Sequence, residues 1–331
     1  MKQSLLRVHV ENDSAIGPLF AVTADMLAAA EERHPSVKGR WTPTFGSDCA
    51  GFEQNIAEAD ALFGWRFPKE RIAAIAPKLS WIQLTGAGVD HLLPLYWLPP
   101  HIDLANAKGA HKPKIGEALL MAILMLNNYI PALVHHQRRH EWHQLFATGI
   151  AGKTLLVVGL GEAGGAAARM AKRFGMTVIA TARRKTADPT ADAVYPPARL
   201  RDLLPQADIV LVTVPLTHET RGLIGAREIS LMKQGAGLIN LARHGIVDDA
   251  ALVAALEAQR LSGCVYDLES PDDRPVDPRM WTCRNLILLP HSLSNDPARF
   301  MANVLDIFFR NLENRLEGRP LENLVNSGLG Y

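Results

Sequence analysis

Three glycines in the stretch TLLVVGLGEAGGAAARMAKRFG carry the first chemical signal. Gly159, Gly161 and Gly164 follow a short apolar run and precede an Ala-rich helical pattern. In that setting the first glycine permits a tight turn, the second lets the main chain approach a diphosphate, and the third lets helix and strand pack closely. Glu162 and Ala163 open the helix, whose N–H groups and positive dipole end would face the diphosphate. A lone G-x-G-x-x-G is weak evidence. A strand before it, a helix after it and a second strand at the right distance make it strong. Loops that bind S-adenosylmethionine are related, so the next strand must decide.

That strand is MTVIATARRKT, residues 176–186. Where NAD binds, an Asp or Glu about 20 residues on accepts hydrogen bonds from the ribose hydroxyls. Ala182 occupies that place, and Arg183, Arg184 and Lys185 follow. A carboxylate would repel a 2′-phosphate, whereas arginine forks bind one through charge-assisted, often bidentate bonds. A solvated charge run is the plainer reading, but it leaves the missing acid unexplained. The stretch therefore favours NADP over NAD.

Further segments stand in a telling order: APKLSWIQLTGAGVDHL, ANAKGAHKPKIGEALLMAILML with Asn106 and Glu117, LINLARHGIVDDAALVAAL, NLILLPHSLS and EGRPLENLVNSGLGY. Together with the glycine loop they resemble the D-isomer-specific 2-hydroxyacid dehydrogenase family nearly end to end. The branch most similar is that of NADP-dependent glyoxylate and hydroxypyruvate reductases. Several motifs in the correct order are far more specific than any one.

Reducing a 2-oxo acid requires a cation for the carboxylate, a proton donor for the developing alkoxide, and a carboxylate to orient that donor. The resemblance assigns these roles. Arg243 matches the family's catalytic arginine, whose fork pairs with the substrate carboxylate and stays charged. Leu241 and Ala242, just before it, fall in the cofactor-binding set, and the family usually has Gly where His244 stands. His291 matches the acid/base histidine and also borders the cofactor; it donates as imidazolium and accepts as imidazole. Counting from Arg243 puts Asp272 where the family has Glu, with Glu269 and Asp273 as the other candidates. Asp267 matches the group that binds the nicotinamide carboxamide. Ala87 and Gly88 match the backbone that receives the substrate carboxylate. Pro215 and Thr220 match residues lining the cofactor, although an ordinary turn after a strand accounts for Thr220 nearly as well.

Other readings stay open. Within the class, an NAD-dependent D-lactate, D-3-phosphoglycerate or other D-2-hydroxyacid dehydrogenase would share these motifs. Formate dehydrogenases share the architecture, but ESPDD ahead of His291 suits hydroxyacid chemistry better. A non-catalytic, cofactor-sensing scaffold is the reading from another class, and the presence of both Arg243 and His291 argues against it. The cluster HHQRRHEWH places His136 and His140 one helical turn apart, yet no Cys or supporting acid pattern beyond Glu141 accompanies them. It reads as a solvated helical face and not as a metal site.

The elements that must position these groups follow from the same pattern. Short apolar runs alternate with longer Ala/Leu-rich helical stretches, which predicts an α/β fold with parallel sheets covered on both faces. With 331 residues the chain exceeds one comfortable core. The expected fold is two Rossmann-like, doubly wound parallel-sheet domains. The resemblance implies a discontinuous substrate-binding domain, residues 1–104 and 291–331, and a dinucleotide-binding domain, residues 105–290, with a homodimer built around residues 117–144. A formal charge of +1 leaves no basic field for nucleic acid or anionic lipid. The longest apolar run, residues 118–126, falls short of the ~20 needed to span a bilayer. Arg7 and His9 interrupt the N-terminal apolar run, which argues against a signal peptide. Three scattered cysteines suit a reducing cytoplasm.

Overall fold

The computed structural model describes residues 5–268, 276–326 and 328. The chain forms two compact units, Met1–His111 with Asp296–Tyr331, and Lys112–Asn295. The first break thus falls later than residue 104. Ala105 belongs to a strand of the first sheet, and Ala107 and Ala110 are buried in that unit's core. The second break falls after His291, which belongs to the second unit.

In the first unit, β1 (Leu6–Asn12), β2 (Trp41–Ser47), β3 (Ala61–Gly64), β4 (Trp81–Leu84) and β5 (Asp103–Ala105) form a parallel sheet in the order β2-β1-β3-β4-β5. Helices α1 (Ala24–Arg33), α2 (Phe52–Ile56) and α3 (Ile72–Ile75) provide crossovers. Helix α1 opens at Thr23, whose hydroxyl accepts from the Met26 N–H at 3.2 Å, satisfying an orphan donor of the first turn. The C-terminal helix, Phe300–Leu316, returns to this sheet. Its Phe308 stacks on Phe63 at 4.5 Å and on Trp81 at 5.5 Å between ring centroids. Phe52, Ile56, Leu79 and Ile82 fill a second cluster with Leu62. Polar pairs interrupt the apolar interior: His9 and Glu11, two apart on β1 and so on one face, meet at 2.8 Å with both side chains fully buried, and Asn311 Nδ2 donates to Gln83 Oε1 at 2.8 Å.

In the second unit, α4 (Lys112–Asn127) and α5 (Ile130–Arg138) lead into β6 (Thr154–Val158), α6 (Glu162–Arg173), β7 (Thr177–Thr181) and β8 (Ala193–Tyr195). There follow α7 (Leu200–Leu203), β9 (Ile209–Val212), α8 (Ala226–Leu231), β10 (Ala236–Asn240), α9 (Asp249–Glu257), β11 (Leu261–Asp267) and β12 (Leu286–Leu289). All seven strands pair in parallel, in the order β12-β11-β10-β9-β6-β7-β8. The winding reverses at β6, so a crevice opens beyond its C-terminal end, where open α/β sheets bind ligands. Both units are therefore the doubly wound, parallel α/β domains the sequence predicts. The apolar run in α4 is a core element: a Cβ added at Gly237 of β10 would lie 2.9 Å from Leu126. No single helix among the described residues is long and apolar enough to cross a membrane.

Candidate active site

The glycine loop leaves β6 at Gly159, whose φ of +102° lies in the region that favours glycine. A Cβ there would also lie 2.7 Å from Val214, and one at Gly164 would lie 2.3 Å from the Gly159 carbonyl oxygen. The turn is pinned by the Gly159 and Leu160 N–H groups, which donate to Thr181 O at 3.1 and 3.0 Å. Thr213 Oγ1 donates to Gly159 O at 2.7 Å. Gly161 differs from its two neighbours, because a Cβ there would meet nothing within 4 Å. Protein packing does not demand that glycine, whereas close approach of a diphosphate does, so the loop fits a dinucleotide. Helix α6 starts at Glu162 with no side-chain cap at Gly161, and Ala163 lies in its first turn. Glu162 pairs with Lys112 at 2.8 Å.

The cations after β7 are unequal. Ala182 continues the strand edge, its N–H donating to Tyr195 O at 2.9 Å. The Arg183 guanidinium pairs with the Glu219 carboxylate from the loop after β9. Lys185 pairs with Asp188 at 2.6 Å. Burial would raise the Asp188 pKa, but hydrogen bonds from Lys185 and Thr190 prevail and hold it down at about 2. Arg184 is exposed and has no ion-pair partner among the described residues. In the loop carrying Glu219, the Thr220 hydroxyl donates to Pro215 O at 2.6 Å and accepts from Thr217 N at 2.8 Å. Thr220 therefore closes this turn, and Pro215 lies exposed at its start.

The reacting groups proposed from sequence gather at the ends of neighbouring strands. Asn240, the last residue of β10, is fully buried and braces the turn that follows. Its Oδ1 accepts from Ala242 N and its Nδ2 donates to Arg243 O, both at 3.1 Å. Leu241 N donates to Val212 O at 3.3 Å. Arg243 Nη1 donates to Ala242 O at 2.9 Å. His244 replaces glycine without strain, since the left-handed conformation falls on Gly245, φ +87°. Its Nε2 lies 2.8 Å from Asp249 Oδ2. Asp267 ends β11 with 3% exposure, and His291 follows β12 with φ +48°. Asp267 Oδ2 lies 3.9 Å from His291 Nδ1, and Asp267 Oδ1 accepts from Ser292 N at 3.3 Å. Asp272, Glu269 and Asp273 lie outside the described residues.

On the first unit, Ala87 and Gly88 follow β4 in a braced turn. Asn106 Nδ2 donates to Ala87 O at 2.9 Å, and Ala107 N donates to Gly86 O at 2.9 Å. Trp65 packs on this turn: a Cβ at Gly86 would lie 2.4 Å from its ring. Trp65 stacks on His91 at 4.0 Å, and His91 Nε2 donates to Trp65 O at 3.0 Å. Burial pushes the His91 pKa down, outweighing that hydrogen bond, so the ring is held neutral.

Elsewhere, His136 contacts Glu141 at 2.7 Å. Among the described residues no three His, Cys, Asp or Glu are arranged to hold a metal. A cavity of about 170 Å³, lined by Asn127, Lys153, Asp208 and Lys233, lies at the N-terminal edge of the second sheet, opposite the glycine loop. The braces Asn240 and Asn106 as anchors, and Glu219, carry no local sequence signature of these roles.

A glycine-rich turn at the switch point of a seven-stranded parallel sheet defines a dinucleotide-binding α/β protein. The model for "D-isomer specific 2-hydroxyacid dehydrogenase, NAD binding domain" matches residues 120–292, and the chain belongs to that family of oxidoreductases. It is 33% identical over 286 residues to a glyoxylate reductase of Aeropyrum pernix, covering 81% of this chain and 83% of the relative. It is 31% identical over 285 residues to a D-3-phosphoglycerate dehydrogenase of Methanocaldococcus jannaschii, covering 82% of this chain but only 53% of that relative. Among solved structures, a D-isomer specific 2-hydroxyacid dehydrogenase of Xanthobacter autotrophicus Py2, in complex with NADPH and MES, superposes with a TM-score of 0.84. Its identity is 27%, over 98% of this chain and 99% of that one.

Proposed function

We propose that this protein is an NADP-dependent reductase of a small 2-oxo acid, glyoxylate- or hydroxypyruvate-like, producing the D-2-hydroxy acid. The observation that carries the reading is the shared C-terminal edge of β10, β11 and β12, where Arg243, Asp267 and His291 follow or end adjacent strands at the same sheet edge that carries the glycine loop. The likeness to a glyoxylate reductase and to a structure that contains NADPH supports it. When bound, the nicotinamide supplies the hydride. Arg243 holds the substrate carboxylate in its fork, and the backbone N–H groups of Ala87 and Gly88 receive it. His291 as imidazolium donates its proton to the carbonyl oxygen as charge develops there. Asp272 orients and charges that histidine, and Asp267 takes the nicotinamide carboxamide. Gly159, Gly161, Glu162, Ala163 and Gly164 cradle the diphosphate, with Pro215, Thr220, Leu241 and Ala242 lining the cofactor. Arg183 and Arg184 bind the 2′-phosphate.

Absorbance assays with NADPH and NADH test the reading against glyoxylate, hydroxypyruvate, pyruvate and phenylpyruvate. NADPH oxidation with glyoxylate and hydroxypyruvate supports it. Oxidation of neither cofactor with any acid would instead support a cofactor-sensing scaffold. The likeness to a D-3-phosphoglycerate dehydrogenase favours a second reading, NAD-dependent oxidation of a D-2-hydroxy acid, which NADH preference would support. The same proposal includes a homodimer built around residues 117–144, where Trp142 is 93% exposed. Light scattering giving a monomer mass would exclude it.

A further inference from the structure

The end of β7 lacks an acid, yet a carboxylate reaches this place from another loop. Strands β7 and β9 are the two neighbours of β6, so they lie about 10 Å apart, twice the usual strand spacing. Arg183 follows β7 and Glu219 follows β9, so their ion pair bridges the crevice beyond β6 along which the glycine loop lies. Glu219 is not a stray side chain. The turn beneath it is closed by the buried Thr220 hydroxyl on Pro215 O and Thr217 N, and by Arg221 N donating to Thr217 O at 3.0 Å.

We infer that Glu219 sets how strongly this protein discriminates between phosphorylated and unphosphorylated dinucleotide. The inference rests on the NADP reading above. Its carboxylate holds the guanidinium that a 2′-phosphate must engage, and its charge opposes the phosphate. Both partners are solvent-accessible, with side-chain exposures of 32% and 69%. Exposed pairs of this kind are weak, and a phosphate, with more charge and several acceptor oxygens, displaces the carboxylate. Glu219 therefore lowers the affinity for the phosphorylated ligand without abolishing it. A ligand lacking the 2′-phosphate incurs no such cost. Arg184, with no ion-pair partner among the described residues, attracts the phosphate without giving up a contact with any of them.

Calorimetric titration of the whole protein with 2′,5′-ADP and with 5′-AMP separates these terms without any reaction. Glu219→Gln should tighten 2′,5′-ADP binding about two- to fivefold, the scale of an exposed pair, and leave 5′-AMP unchanged. In the Arg183→Ala background the same substitution should lose most of that gain. If Arg183→Ala weakens 2′,5′-ADP selectively but Glu219→Gln changes nothing, or changes both ligands equally, the role of Glu219 is overturned and the NADP reading stands. If neither Arg183→Ala nor Arg184→Ala weakens 2′,5′-ADP relative to 5′-AMP, the NADP reading falls and this inference with it.

Discussion

The buried carboxylate of Asp267 lies 3.9 Å from Nδ1 of His291, at the paired ends of β11 and β12. A carboxylate at that range favours the imidazolium, so Asp267 acts on the proton donor as well as on the cofactor in the proposed reaction. Asp267→Asn should lower kcat/KM for reduction about tenfold or more and make activity fail at lower pH than in the wild type. Asp272→Asn should shift the alkaline limb in the same direction. A pH profile unchanged in one variant would remove that residue from the support of His291.

Arg243 sits on a buried brace, because Asn240 Oδ1 accepts from Ala242 N and its Nδ2 donates to Arg243 O. Arg243→Lys keeps the charge but loses the planar fork. Steady-state kinetics should show KM for the 2-oxo acid raised at least tenfold, with NADPH affinity nearly unchanged. An unaltered KM would place substrate recognition elsewhere.

Arg184 and Arg183 should contribute unequally. Replacing Arg184 by Ala removes a cation with no ion-pair partner among the described residues, whereas replacing Arg183 also releases Glu219. Both variants should lose kcat/KM with NADPH and spare NADH, and Arg184→Ala should lose more. Equal losses with both cofactors would contradict a phosphate-binding role.

The buried pair of His9 and Glu11 makes a stability prediction. Glu11 also accepts the Cys49 N–H at 2.7 Å, and His9 Nδ1 lies 3.1 Å from Thr44 Oγ1. Glu11→Ala leaves His9 Nε2 and the Cys49 N–H without their buried carboxylate partner, a loss that typically costs about 1–3 kcal/mol per unsatisfied group. Urea unfolding should show that loss, and a His9→Leu/Glu11→Leu double variant should recover much of it. A loss below about 1 kcal/mol would mean that other groups take the place of the carboxylate.

His91 gives a pH dependence with a definite sign. Burial lowers its pKa from 6.5, so the unfolded chain takes up the proton first as pH falls. The stability this ring contributes is complete above pH 6.5 and is lost as pH drops towards the folded value. Thermal unfolding between pH 7.5 and 5 should therefore fall less steeply for His91→Gln than for the wild type. Equal slopes would remove His91 as the cause.

Much of this was legible in the sequence because it is local. Gly159, Gly161 and Gly164 are constrained by the turn they make, and only Gly161 is left for a ligand to explain. Alternating apolar runs and helical patterns specify parallel strands, since buried strands and their crossovers leave periodic traces. The segments around Arg243 and His291 stood out in order along the chain. The break between the units falls after His111 and not at residue 104, because no local pattern says which sheet receives the strand that contains Ala105.

Other relationships depend on strand order, which no local pattern encodes. Only the tertiary structure decided that β6 lies between β7 and β9, and so that Glu219 meets Arg183 from 36 residues away. Pairing of β11 with β12 decided that Asp267 faces His291. His9, a polar interruption when read along the chain, became half of a buried pair because the fold packs Phe52 against its ring and brings Thr44 of β2 to its Nδ1. The sequence by itself determined which chemical groups are present and which turns present them. The partners that tune those groups are set by long-range strand pairing, where each contact joins segments whose separation along the chain says nothing of their distance in space.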